Sequence, residues 1–191
     1  MNRVSFLEKT GCAVFIIFPL LFISGLIIAQ WPEWWMWVIF EQSPMTWLEA
    51  TILFSCSLLS AIIAAITFLN REDRHSFYWF ILSAGFAYLC FDERFAIHER
   101  IRDSFLAPRK ITLPFLPWAA PGDFILILFM IAGITALFKL IIIFKEYKRA
   151  YRLFIAGVCI AGFAVLLDSW DMHIYSIEIQ RAEQFIEELI E

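Results

Sequence analysis

Several ionisable side chains fall within one short stretch, residues 90–103, directly after an apolar run. They are Asp92, Glu93, His98 and Glu99. Charged groups at the end of a hydrophobic segment are costly unless they meet one another, a metal ion or water, so the stretch predicts a functional site. Carboxylates together with a histidine are donors that iron, manganese and zinc bind in proteins. The chemistry that this pattern favours is therefore that of a divalent metal ion.

A continuous helix through this stretch would place Asp92 and Glu99, seven residues apart, on the same face. His98 would then point about 100° away from Glu99. Glu93 and Arg100 are also seven residues apart and would pair with each other.

Further donors lie at the ends of other apolar segments. Glu49 is near the start of one segment, and Asp168, Asp171 and His173 are near the end of the last. The two aspartates are three residues apart and share a helix face, whereas His173 points elsewhere if the helix stays regular. The predicted metal ligands are Glu49, Asp92, His98, Glu99, Asp168, Asp171 and His173. Glu99 is also the predicted catalytic group that would transfer a proton.

Two alternatives to a metal site stay open. Arg94, Arg100 and Arg102 are interleaved with the acids, so the stretch also fits an ion-pair network. The same acids also fit a proton or cation pathway. Neither Glu49 nor Asp168 has a basic residue within one helical turn on its own segment, and this favours the metal site.

The elements that carry these groups are predicted to be membrane helices. The chain has 191 residues, 61% hydrophobic and 18% aromatic, with several separate apolar runs of about 20 residues. This predicts an all-α, polytopic membrane helix bundle that forms a single integral membrane domain over residues 1–191. We expect about five transmembrane helices, over residues 11–30, 44–69, 77 into the charged stretch, 124–144 and 153–175.

Local signals fix several ends of these elements. Ser43 before Pro44 predicts a helix N-cap, and Asp123 after a Pro-Gly turn predicts another. Residues 31–40 contain four tryptophans and are expected along the membrane interface. Residues 176–191 alternate apolar residues with glutamates and predict an amphipathic surface helix. The first span, with no cleavage site after it, should be retained as an anchor.

Charge is distributed unequally between the two predicted sides of the membrane. One set of turns holds nine of the 15 basic residues but only four of the 19 acidic ones. The positive-inside rule then places the N-terminus in the cytoplasm and the C-terminus in the periplasm or outside the cell, in a bacterial inner (plasma) membrane. The candidate ligands all lie at the outer interface in this arrangement.

The sequence FDERFAIHER, together with the FIEELIE tail, resembles a pattern in small multi-span bacterial membrane proteins. In these, an apolar helix ends in Asp-Glu-x-x-x-x-His-Glu and the chain closes on a glutamate-rich segment. The resemblance covers about ten residues well, and it implies a site without implying a reaction. The sequence contains no HExxH, CxxCH, Walker or GxGxxG motif.

We therefore predict a membrane-embedded metal-dependent enzyme that acts on a lipid or other amphipathic substrate at the outer interface. A metal-dependent hydrolase and a di-iron-type oxidoreductase both fit the donor set. A cation- or proton-coupled transporter and a non-catalytic subunit of a larger membrane complex are the alternatives. The lipid bilayer is the expected partner, nucleic acid is not, and both a homo-oligomer and a larger complex stay open.

Overall fold

The computed structural model of the chain describes residues 3–40, 43–71, 73–116, 121–122, 124–145, 148–168, 170, 172 and 175–190. For several residues inside the helices only the backbone is described. Every regular element in these ranges is a helix, so the predicted all-α class is confirmed.

The described residues form seven α-helices. They are α1 (Arg3–Ala29), α2 (Pro44–Leu69), α3 (Asp73–Phe95), α4 (Ile97–Ile101), α5 (Phe124–Phe144), α6 (Lys148–Asp168) and α7 (Ile177–Ile190). A π-turn over Arg102–Leu106 and a 3-10 turn over Ala107–Arg109 follow α4 directly. The bounds of α2 and α5 agree with the predicted residues 44–69 and 124–144.

The start of α2 is fixed by the predicted cap. The Ser43 hydroxyl accepts a hydrogen bond from the Met45 N–H at 3.1 Å, and Pro44 occupies the first turn, where its missing N–H costs nothing. The Ser43 prediction is therefore confirmed. The second predicted cap, Asp123, lies outside the described residues.

Helices α2 and α3 pack antiparallel along a seam of small polar residues. Ser76 donates to the Ala64 carbonyl at 2.9 Å. Ser57 and Ser83 each donate to the other's carbonyl at 2.9 Å. Cys90 donates to the Ala50 carbonyl at 3.3 Å.

These contacts recur every seven residues on both helices, so each is about 10 Å from the next. Side chains this small allow close approach of the two backbones, as in helix pairs within membranes. We call the end near Asn70 the turn end of this pair and the end near Glu49 the acidic end.

Five hydroxyl groups on α1 and α2 are bonded within their own helix. Each donates to the carbonyl four residues earlier, at 2.7–2.9 Å: Ser24, Thr51, Ser55, Ser60 and Thr67. A hydroxyl that is bonded in this way needs no water.

Two helices are long and apolar enough to cross a membrane, within the part of the chain that the structure describes: α2 and residues 148–167 of α6. Only 17% of the apolar window in α2 and 6% of that in α6 is buried inside the protein. A core helix of a soluble protein would be mostly buried, so this exposure indicates association with a membrane. A shorter apolar stretch, Ile16–Ala29, lies in α1.

The tryptophan-rich segment expected at the interface forms a series of turns over residues 31–40. The ring of Trp34 contacts Phe185 of α7 edge to face, with 4.7 Å between centroids, and the Arg181 guanidinium lies 4.6 Å from the Trp35 ring. Phe185 also packs on a buried cluster formed by Leu26, Val38, Met45 and Leu48. Helix α7 therefore packs against the ends of α1 and α2, while its side chains Ile179, Ile186 and Leu189 are exposed.

The remaining helices join this group through aromatic contacts. Tyr88 of α3 contacts Phe129 of α5 at 5.5 Å between centroids, and Phe144 of α5 stacks on Phe154 of α6 at 4.7 Å. Helix α6 ends at Asp168 instead of continuing to the predicted residue 175. Serine and aspartate compete with helical hydrogen bonds through their own side chains, and both residue types follow the last apolar turn here.

Candidate functional site

The predicted continuous helix through the acidic stretch is wrong, because the helix breaks at Ala96. Helix α3 ends at Phe95, and Ala96 adopts a left-handed conformation with φ 47° and ψ 50°. A non-glycine residue in this conformation costs about 1–2 kcal/mol, so the surrounding contacts must hold it there. Residues before and after Ala96 therefore do not have the relative positions expected for a continuous helix.

His98 folds back onto Asp92 across the break. One carboxylate oxygen of Asp92 accepts from the backbone N–H of His98 at 2.9 Å, and the other lies 2.8 Å from Nδ1 of its ring. Asp92 is only 7% exposed. The two residues, which a straight helix would separate, therefore form a single unit, the Asp92–His98 bridge.

A second contact joins the two long helices at the acidic end. Glu49 of α2 is 6% exposed, and its carboxyl group lies within hydrogen-bonding reach of the Glu93 carboxyl on α3. Two ionised carboxylates only accept hydrogen bonds and repel each other. Such a buried contact is stable when the pair shares a proton or a cation.

The two contacts are neighbours. Asp92, His98 and Glu99 are all close enough to Glu93 to interact electrostatically with its carboxyl group. The site therefore combines two carboxyl groups from different helices with an imidazole whose position is fixed by a third carboxylate.

The ion-pair alternative accounts for the residues after His98. Arg102 contacts Glu99 at 3.2 Å and Asp103 at 2.8 Å. Asp103 is well exposed, with 65% of its side chain accessible, so this pair contributes little to stability. Glu99, the predicted proton-transferring group, thus has a basic partner.

Of the seven predicted ligands, the structure joins Asp92 to His98 and places Glu49, Asp92, His98 and Glu99 each within interaction range of Glu93, with Glu99 also in its ion pair. The side chain of Asp168 and the residues Asp171 and His173 lie outside the described part of the chain. Within the described residues, no group of three or more His, Cys, Asp and Glu side chains is arranged to hold a metal ion.

Glu93 is the site residue that the predicted ligand set omits, since it was assigned to a pair with Arg100. The seven-residue repeat of Ser76, Ser83 and Cys90 carries the missing signal, because it marks the face of α3 that packs on α2. Glu93 comes three residues after Cys90 and therefore lies on the same face.

Taken together, the fold and site are those of a helical, membrane-associated protein with two neighbouring carboxyl groups, Glu49 and Glu93, and an Asp–His bridge at one end of its central helix pair. The chain belongs to the family described as a domain of unknown function, DUF8692, whose model matches residues 13–191. No curated protein and no solved structure matches it.

Proposed function

We propose that this chain is an integral membrane enzyme that binds a divalent metal ion between Glu49 and Glu93. Its substrate would be lipid-like or amphipathic. The observation that carries the proposal is the proximity of the half-buried Glu93 carboxyl group to the buried Glu49 carboxyl group. A divalent cation would neutralise both charges, whereas a single proton neutralises one. His98 supplies a nitrogen donor, since it is near Glu93 in the sequence and interacts electrostatically with the Glu93 carboxyl group.

The donor chemistry restricts the metal. Two carboxylates and an imidazole suit iron, manganese or zinc, and the sequence supplies Asp168, Asp171 and His173 as further donors. A bound ion of this kind activates water or oxygen, which serves hydrolysis and oxidation alike. Glu99, held by Arg102 near Glu93, is the group we assign to proton transfer.

The proposed location follows from the predicted membrane arrangement. With about five spans and the N-terminus in the cytoplasm, the acidic end of the α2–α3 pair faces the outer side of a bacterial plasma membrane. A substrate with an apolar part would reach this level from the bilayer itself. Reporter fusions placed after Lys148 and after Ile190 should report opposite sides of the membrane. The same side for both would contradict the arrangement.

The polar seam between α2 and α3 favours an enzyme over a transporter. A transport route needs ionisable or hydrated groups along its whole length. The seam residues Ser57, Ser76 and Ser83 instead donate to backbone carbonyls and are separated by apolar turns. The acidic end therefore resembles the bottom of a closed pocket.

The test of metal binding uses the full-length protein purified in detergent and treated with a chelator. Adding Fe²⁺, Mn²⁺ or Zn²⁺ should raise the midpoint of thermal unfolding, because a ligand that binds only the native state stabilises it. Glu49→Gln and Glu93→Gln should each abolish the rise. Glu33→Gln, which changes an exposed glutamate in the tryptophan-rich segment, is the matched control and should respond like the wild type.

A different result would assign the pair to proton sharing. If none of the three ions changes the midpoint and both glutamine variants are as stable as the wild type, the carboxyl pair shares a proton and the metal proposal fails. Metal-dependent flux through proteoliposomes of the wild type, lost in the same variants, would instead favour the transporter.

A further inference from the structure

Asp92, one of the seven predicted metal ligands, makes contacts that indicate a different role. Both of its oxygens are used by the same partner residue, His98, one on the backbone N–H and one on the ring. A carboxylate engaged twice by one residue is oriented toward that residue. Its geometry is that of a group that positions a histidine.

We infer that Asp92 is a positioning residue that fixes the His98 ring in the tautomer with the proton on Nδ1 and the lone pair on Nε2. A carboxylate can only accept a hydrogen bond, so the ring nitrogen 2.8 Å from it must be the one that carries the proton. In a neutral imidazole the other nitrogen then carries the lone pair. Nε2 is thereby fixed as the metal-binding or proton-accepting atom.

The backbone supports this arrangement. Ala96 is the N-cap of α4 and has no side-chain acceptor to offer the first turn of that helix. Asp92, six residues before His98, supplies the acceptor from the preceding helix. The left-handed Ala96 makes this approach possible, so the strained residue and the two hydrogen bonds belong to one structure.

The inference deepens the proposed function, and the binding of a metal ion to Nε2 rests on that function. The tautomer of His98 does not depend on it. A histidine ligand commonly donates its other ring proton to a carboxylate, which fixes the ring and raises its basicity. Asp92 fits that outer role, and Glu93 replaces it among the groups that would contact the metal.

Asp92→Asn tests the inference without removing a hydrogen-bonding side chain. The backbone N–H of His98 donates and needs an acceptor, so the amide oxygen of the new residue must face it, and the amide NH₂ must face Nδ1. An NH₂ group donates, so Nδ1 must lose its proton and Nε2 must gain it. The substitution should therefore exchange the tautomer, which a residue with a purely structural role would not do.

The measurement is the ¹⁵N chemical shift of the histidine ring nitrogens in the full-length, metal-free protein, in an alkaline buffer. His98→Gln identifies the His98 signals by their loss, and His75→Gln should retain them. The wild type should show the proton on Nδ1, and Asp92→Asn should show it on Nε2. Asp103→Asn, at an exposed aspartate paired with Arg102, is the matched control and should leave the tautomer unchanged.

A wild-type ring with its proton on Nε2, or with protons on both nitrogens in this buffer, would overturn the inference, as would an Asp92→Asn variant with an unchanged tautomer. The wild-type spectrum decides even if the variant does not fold. Asp92→Asn should also weaken binding of the metal ion about 10- to 100-fold. If the wild type binds no metal, the proposed function fails while the tautomer result still stands.

Discussion

The two ends of the α2–α3 pair accommodate polar side chains between the helices in different ways. Toward the turn end, Ser57, Ser76 and Ser83 are uncharged, and each donates to a carbonyl of the facing helix. At the acidic end, Glu49 meets Glu93, and Asp92 holds His98 across a strained backbone. Polar groups that only join helices are small, neutral and regularly spaced. The ionisable groups break both the spacing and the helix, which is typical of a site kept for function.

The largest effect should follow from removing the Asp92 carboxylate. Asp92→Ala leaves both the His98 N–H and its ring without their acceptor, and a buried donor left unsatisfied costs about 1–3 kcal/mol. We expect the free energy of unfolding in detergent to fall by about 2–4 kcal/mol. Asp103→Ala, which removes an exposed carboxylate, should cost under about 1 kcal/mol. Equal losses in the two variants would show that the acidic end has no special structure.

The seam should respond more weakly. Ser57→Ala removes the hydrogen bond to the Ser83 carbonyl, and bonds of this kind within membrane helices contribute about 0.6–1.7 kcal/mol. Ser83→Ala should have a similar effect, since it removes the reciprocal bond. Unfolding by SDS titration would measure the loss of stability in both variants. A control is Ser55→Ala, whose hydroxyl is bonded within α2 and whose loss should leave α2–α3 packing unchanged.

The strained residue predicts a small change of opposite sign. Ala96→Gly removes the clash that a Cβ meets in the left-handed conformation, so it should stabilise the protein by up to about 1 kcal/mol after the extra entropy of glycine is subtracted. Ala96→Val should destabilise it, because a branched side chain adds to the clash. Thermal unfolding of the two variants side by side would decide. Destabilisation by glycine would mean that Ala96 is not left-handed in the protein.

The smallest effect is expected far from both ends, at the start of α7. The backbone N–H of Glu178 itself and then the Ser176 hydroxyl donate to the Glu178 carboxylate and hold its pKa below the usual value. A lowered pKa means that the ionised form favours the folded helix. Its contribution is therefore present above the usual pKa and is lost as the pH falls through the lowered one. Glu178→Gln should lower the helicity of α7 only slightly at neutral pH, because the group is exposed, and should flatten the acid side of the α7 helicity curve measured by circular dichroism.

The sequence predicts the elements better than it predicts the site. Ser43-Pro44 and the uninterrupted apolar runs determine α2 and α5, because caps and apolar length are local signals. Nothing local predicts the break at Ala96, since alanine has the highest helix propensity of all residues. The break depends on contacts made by Asp92 across the turn, and these exist only in the folded chain. The repeat of Ser76, Ser83 and Cys90 could have predicted that Glu93 lies on the packed face of α3. A pair with the arginine seven residues away was the simpler interpretation of Glu93.

The contact between α7 and the tryptophan-rich segment has a consequence for how the protein is made. Trp34 and Trp35 are synthesised early, whereas Arg181 and Phe185, which cover them, come from the last helix of the described chain. The two indole rings therefore lack these contacts until α7 has been synthesised. The contact between residues 31–40 and α7 cannot form before that point, so it follows the synthesis of all the other described helices.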